Sequence, residues 1–324
     1  MYQKRKIRAE KKKDDSPKSF PSVGINWYPG HMAKTKRLIS ENINLIDIVY
    51  EVIDARMPYS SKLREVDTIF KNKPRLIIMT KLDLCDINET NKWIKYYENL
   101  GNKVVKANLD SNFNIKPILK ATEELMEKIN EKRENKGMLK RKSRVVVVGI
   151  PNAGKSTLIN KLVNKKVAGV GNKPGVTKQV SWIRISNDIE LLDTPGILWP
   201  KLSEEKVAFN LATFSAIKEE VLPIYDVANY VLNMLYKYYP NILKDKYGLL
   251  ELDDDMYENF DIIGKRRGCL IKGGEIDYEK VVTIILNDIK SGAIKGITLD
   301  RFDEYEELNG NNWKEWISTC LFRR

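Results

Sequence analysis

Cysteine and histidine are scarce in this chain. Its 324 residues hold three cysteines, Cys85, Cys269 and Cys320, and a single histidine, His31. No CxxC pair or Cys/His cluster exists, so the sequence offers no zinc-ligand set. An odd, sparse set of thiols fits a reducing cytoplasm. Long apolar runs are also missing: none approaches the roughly 20 residues that span a bilayer, so no membrane partner is expected. Residues 1–20 lack an apolar h-region, which argues against a secretory signal, and Glu10, Asp14 and Asp15 argue against a mitochondrial presequence. Acidic residues are outnumbered, 44 against 56 basic ones, giving a formal net charge of +12. That excess points to a polyanionic partner, nucleic acid first, with generic solubility as the plainer account.

What is present divides into four stretches. Residues 1–24 form a basic arm with Lys4, Arg5, Lys6, Arg8 and Lys11 to Lys13, of disordered, polyanion-seeking composition. From 25 to 200 strands alternate with helices. Ile46–Ile53, Arg75–Met79, Arg144–Val148 and Ile189–Leu192 read as strands, and 89–100 and 115–130 as helices. Alternating elements predict an α/β domain with a doubly wound, mainly parallel sheet. From 201 to 302 the pattern turns helical, over 203–218, 227–239, 254–264 and 278–291. In the last of these Val281, Ile284, Ile285 and Ile289 make a core-facing stripe. A tail, 303–324, completes the chain, and its Trp313 and Trp316 read as helix-docking or base-stacking aromatics.

The chemistry lies in short motifs. Gly149-Ile-Pro-Asn152-Ala153-Gly154-Lys155-Ser156-Thr157 follows a β-branched strand and opens a helix, the context of a phosphate-binding loop. Its glycines let backbone N–H groups curl round phosphates, and the helix N-terminus adds partial positive charge. Lys155 is expected to reach the β- and γ-phosphates and Ser156 to bind Mg²⁺. Asp193-Thr-Pro-Gly196 lies at the end of a later strand. Asp193 is placed to hold Mg²⁺, and the Gly196 N–H to sense the γ-phosphate. Thr177, in the intervening Pro-Gly-Val-Thr, is the natural second Mg²⁺ hydroxyl. Thr80-Lys81-Leu82-Asp83 reads as a guanine-specificity box. The Asp83 carboxylate can accept both N–H groups of the guanine edge, and the Lys81 stem would lie along the base. Thr80 stands where the usual residue is Asn, which removes an amide that normally braces the pocket. Asn108, in Lys106-Ala107-Asn108, is a poor match to a further base-contacting loop.

The base box precedes the phosphate loop, the reverse of the ordinary GTPase order, so the domain reads as circularly permuted. Trp27-Tyr-Pro-Gly-His31-Met-Ala-Lys34, Asp54-Ala-Arg56-Met-Pro58, the phosphate loop, Asp193 to Pro200 and Arg267-Gly-Cys-Leu270 with Gly273-Gly274 together resemble the RbgA/YlqF family. The resemblance runs from about Ile25 to about Phe302. It implies a permuted GTPase domain followed by a helical RNA-binding domain, with GTP and GDP as ligands. It further implies a role late in maturation of the large ribosomal subunit, with its precursor and rRNA as partners. A cytoplasmic, bacterial protein, monomeric off the ribosome, is the corresponding expectation; an organellar homologue or an RNA chaperone with incidental hydrolysis are the alternatives.

The resemblance also bears on single residues. Ile197 occupies the position where many GTPases place a water-orienting Gln, and in the family His31 is the candidate that takes over; a structural or RNA-contacting histidine is the alternative. Asn152 resembles the asparagine of potassium-activated GTPases, whose side-chain carbonyl helps hold K⁺, or else it braces the loop. Lys265, Arg266, Arg267 and Lys272 cluster among glycines and suit phosphate-backbone contacts, or form a solvated charge run. Asp54 and Arg56 read as part of a nucleotide-side loop, an RNA face or a plain ion pair. The segment after Asp193 leads into the helical domain with no further sheet strand, so movement of that loop is expected to reach the second domain.

Overall fold

The computed structural model describes residues 25–26, 37, 39–63, 66–70, 73–110, 113–139, 142–163, 181–185, 189–193, 201–202, 204–217 and 221–308. Val- and Ile-rich segments dominate the sheet. Strands β2 (Ile48–Asp54), β3 (Arg75–Thr80), β4 (Lys103–Ala107), β5 (Ser143–Val148), β6 (Ser181–Arg184) and β7 (Ile189–Asp193) form six strands in the order β4-β3-β2-β5-β7-β6. All pairs are parallel except β6 with β7. Every residue of β2 is buried, as expected of a parallel strand covered on both faces. β4 and β6 were not expected from the sequence. β4 alternates, burying only Val105 and Ala107, as an edge strand does. Separately, β1 (Ile25–Asn26) pairs antiparallel with β8 (Lys201–Leu202).

After β2 the chain builds outward through β3 and β4, then returns with β5 on the other side of β2. The strand order therefore reverses between β2 and β5, and ligands of such sheets bind beyond the carboxyl ends at that switch point. Asp54, Thr80, Ala107, Val148 and Asp193 are the residues that end the five parallel strands there.

Helices α2 (Ile87–Asn99), α3 (Lys116–Glu134) and α4 (Lys155–Val163) accompany the sheet, as does the single turn α1 (Val66–Ile69). Asp86 caps α2 by accepting from the N–H groups of Asn88 and Glu89. α3 reaches Glu134, further than its apolar pattern indicates. The helical part comprises α5 (Glu205–Thr213), α6 (Ile224–Tyr238), α7 (Pro240–Tyr247), α8 (Met256–Arg267) and α9 (Tyr278–Lys290). Pro240 at the first turn of α7 starts a separate helix that the sequence pattern did not reveal. In α9, Val281, Ile285 and Ile289 are wholly buried and Ile284 half-buried, the core stripe expected.

The chain then crosses back to the α/β domain. Gly296 and Ile297 donate N–H groups to the Leu84 carbonyl at 2.9 and 3.3 Å, and Leu299 donates to Arg56 at 2.8 Å. The Asp300 carboxylate, fully buried, accepts from the Ser60 N–H, the Ser60 hydroxyl and Asn210 Nδ2, each at 2.7 Å, and from the Tyr305 hydroxyl at 2.8 Å. Burial raises its pKa, and these donors only partly oppose that. One side chain thus ties together the loop after β2, helix α5 and helix α10 (Phe302–Leu308). α10 spans the division between helical domain and tail expected at 302/303. Its Tyr305 is buried, and Tyr305 and Phe302 meet Trp93 edge to face, with ring centroids 5.5 and 4.9 Å away. With Ile53, Ile77 and Met79 they form a second core against the sheet.

Candidate functional site

Strand β5 delivers the chain to Gly149, where a Cβ would lie 2.7 Å from the Val52 carbonyl oxygen; only glycine lets the two chains pass so closely. The loop then turns through Asn152 and Gly154, both left-handed at φ +63° and +102°. Helix α4 starts at Lys155, so its unsatisfied N–H groups and dipole face the loop. Lys155 is buried and its ammonium donates to the Ile150 carbonyl at 3.0 Å, inside the loop it serves. Ser156 and Thr157 follow on the first turn, half-buried.

The base box meets this loop directly. The buried Thr80 hydroxyl donates to the Ala153 carbonyl at 2.7 Å, with the Ile53 carbonyl at 3.1 Å. A hydroxyl thus ties the phosphate loop to β3 at the position where the usual asparagine is absent. Lys81, left-handed at φ +59°, donates to the Asn152 carbonyl at 2.7 Å and to Asp54 Oδ2 at 2.8 Å. Asp83 is exposed. Ala107 is in register with Thr80, so the exposed Asn108 begins the adjacent loop, and Leu109 reaches the neighbourhood of Gly154.

Beneath the box lies a buried charge cluster. Asp54 accepts from Arg56 Nε at 3.0 Å and from Arg56 Nη2 at 2.9 Å, and both side chains are almost fully buried. Burial alone would raise the Asp54 carboxyl, but Arg56 and Lys81 outweigh it and hold the carboxyl well below the usual carboxylate range. Lys81 is itself lowered by burial, with Asp54 opposing. Arg56 Nη1 donates to the Ile289 carbonyl at the end of α9 at 3.0 Å, and its guanidinium lies 4.0 Å over the Phe214 ring. Of the three readings open for Asp54 and Arg56, the geometry selects a buried pair that touches both the base box and the helical part. The charged ends of an otherwise apolar strand were the signal for it.

Asn152 likewise faces the helical part: its side-chain Nδ2 donates to the Ser215 carbonyl at 2.7 Å. Nothing in the sequence marks Ser215 or Phe214 as neighbours of the phosphate loop.

Asp193 ends β7, the strand beside β5. Lys265, Arg266 and Arg267 occupy the last turn of α8, closed by Gly268 in the left-handed region at φ +64°. Lys265, Arg266 and Lys272 are exposed, whereas Arg267 is half-buried and paired with Asp288 at 2.9 Å. Arg266 Nη2 donates to the Asp245 carbonyl at 3.1 Å. His31, Thr177, Gly196, Ile197, Trp313 and Trp316 fall outside the described residues.

Residues 144–260 match the family model described as "50S ribosome-binding GTPase". Two curated relatives are named ribosome biogenesis GTPase A. That of Priestia megaterium is 45% identical over 284 residues, covering 87% of this chain and 99% of that protein. That of Bacillus cereus is 44% identical over 283 residues, covering 87% and 96%. Among solved structures, a GDP-bound TM YlqF superposes with a TM-score of 0.59 at 26% identity, covering 82% of this chain and 100% of that one. The GNP-bound YlqF of T. maritima gives 0.57 at 27%, covering 83% and 98%.

Proposed function

This chain belongs to the ribosome biogenesis GTPase A family and is a circularly permuted GTP hydrolase of ribosome assembly; from that premise we propose that it engages the precursor of the large subunit in its GTP state and leaves after particle-stimulated hydrolysis. The observation that carries the reading is the joining of Thr80 and Lys81 to the phosphate loop, which makes one nucleotide site from motifs in reversed order.

In this reading the N–H groups of Ala153 to Thr157, with the α4 dipole, hold the phosphates, and Lys155 exchanges the Ile150 carbonyl for phosphate oxygens. Asp83 reads the guanine edge, Lys81 supports the base and Asn108 borders it. Mg²⁺ would be held by the Ser156 hydroxyl on the first turn of α4, with Thr177 and Asp193, expected from their motifs, as the further oxygen donors; it would neutralise charge on the phosphates. Asn152 is the candidate K⁺ ligand, and His31 orients the attacking water. Gly196 reports the γ-phosphate to the helical domain that follows it. Residues 201–302 meet rRNA through Lys265, Arg266, Arg267 and Lys272, of which the exposed three reach phosphates most directly. The protein acts in the cytoplasm as a monomer when off the ribosome.

Turnover with and without purified large subunits tests this. Stimulation of many-fold is expected, because the site carries Ile197 where a Gln would orient water. Equal turnover with and without subunits would leave an RNA-binding chaperone with incidental hydrolysis as the better account.

A further inference from the structure

Hydrogen bonds and one cation–π contact around the phosphate loop close into a ring. Lys81 Nζ reaches the Asn152 carbonyl at 2.7 Å and Asp54 at 2.8 Å. Asp54 is clasped by Arg56, whose guanidinium lies 4.0 Å over Phe214. Ser215, the next residue, accepts the Asn152 side-chain amide at 2.7 Å. Arg56 also caps the end of α9 through the Ile289 carbonyl at 3.0 Å. A second, independent observation singles out the same residues. Among the described residues, the non-glycine positions with left-handed backbone are Lys81, Asn152 and Ser215, at φ +59°, +63° and +53°. Such backbones are costly for residues with a Cβ and persist where surrounding contacts hold them. All three sit in this ring, one each in the base box, the phosphate loop and the helical part.

We propose that Asp54, Arg56 and Phe214 are positioning residues for the GTPase reaction: they fix Lys81 and Asn152 against the phosphate loop and couple nucleotide affinity to the placement of the helical domain. The proposal rests on the nucleotide site read above but assigns residues outside it. Each hydrogen bond in the ring is short and directional, at 2.7–3.0 Å. Arg56 cannot shift with α9 and Phe214 without moving Asp54, and Asp54 cannot move without releasing Lys81 from the Asn152 carbonyl. The charge balance centres on Asp54: one buried carboxylate serves two cations, so displacing it strands both Arg56 and Lys81. Coupling of this kind is reciprocal. A ligand that repositions the helical domain changes nucleotide affinity by the factor by which nucleotide changes that ligand's affinity.

The test uses the full-length protein and a fluorescent GDP. Phe214→Leu removes the aromatic face under Arg56 while keeping Asp54, Arg56 and Lys81, and Phe214→Tyr retains that face. Release of fluorescent GDP is expected to quicken at least about three-fold in Phe214→Leu and to return near wild type in Phe214→Tyr. Arg56→Lys, which keeps the charge and loses the fork and the stack, should quicken release further. Cooperative urea unfolding of each variant shows that the fold is retained. Wild-type release rates in a folded Phe214→Leu protein would overturn the proposal, whether or not Arg56→Lys folds. Competition of the same probe by GDP and not by ADP, in the wild type, separately tests the base site; a protein that fails that arm fails as a guanine reader, not in its ring.

Discussion

The hydroxyl of Thr80 and the carbonyl of Ala153, 73 positions apart in the chain, are 2.7 Å apart in the fold. This bond joins the base-reading loop to the phosphate loop and is buried, so it is short of competing water. Thr80→Val keeps the branched shape and removes the donor, leaving the Ala153 carbonyl without this partner. A loss of about 1 kcal/mol follows, which is about five-fold in GDP affinity. Equilibrium titration with fluorescent GDP measures it; unchanged affinity would show that the phosphate loop holds its shape without the brace.

In the proposed site the guanine edge offers two donors to Asp83. Asp83→Asn presents an amide in place of one carboxylate oxygen, which suits the carbonyl of xanthine and not the amino group of guanine. Competition by GDP and XDP against a fluorescent probe should therefore reverse order in the variant. Retained preference for GDP would remove Asp83 from base recognition.

Acid sensitivity follows from Asp54. Burial pulls its pKa up, but Arg56 and Lys81 pull it further down, so the folded value lies below the ordinary 3.8. A carboxyl depressed on folding contributes stability that is present above the ordinary value and lost as pH falls below it. Asp54→Asn strands two cations and should cost about 3–5 kcal/mol near neutrality. The gap between wild type and variant should narrow below about pH 4. Urea midpoints across pH 3 to 7 test the trend; a gap that does not narrow would mean that the pair is not the titrating unit.

Removal of residues 302–324 takes Phe302 and Tyr305 from the core against Trp93 and deprives Asp300 of the Tyr305 hydroxyl. Tyr305 is buried and Phe302 half-buried; at about 1.5–3 kcal/mol for a fully buried ring and about half that for the other, a loss of about 2–4 kcal/mol follows. Removal of 309–324 alone keeps both rings and serves as the control. Equal urea midpoints for the two truncations would contradict the packing.

Hydrolysis itself tests the remaining assignments. His31→Ala should cut kcat strongly with GTP affinity nearly unchanged, and turnover should be faster in KCl than in NaCl. Loss of affinity in parallel would make His31 structural, and equal rates in the two salts would leave Asn152 as a brace between the phosphate loop and Ser215.

Much of the sheet was legible because parallel strands buried on both faces are written as unbroken runs such as Val145 to Val148, and their ends carry the motif residues. The phosphate loop and the reversed motif order were legible because their chemistry is local: a glycine at a close approach and a helix N-terminus. Short or polar elements escaped. β4 alternates with lysines, and α7 is a two-turn helix whose start depends on Pro240.

The tertiary structure alone decided what braces the site. Thr80 replaces an amide with a hydroxyl only because β3 ends within reach of Ala153. Asp54 and Arg56 acquire a role only because α9 and Phe214 close over them, and Asp300 because the chain returns from the helical part to Ser60. These are contacts between segments far apart in sequence, fixed by how the elements pack. A sequence determines which groups its chain can offer along a strand or turn; the partner each buried group finds depends on which distant backbone arrives beside it.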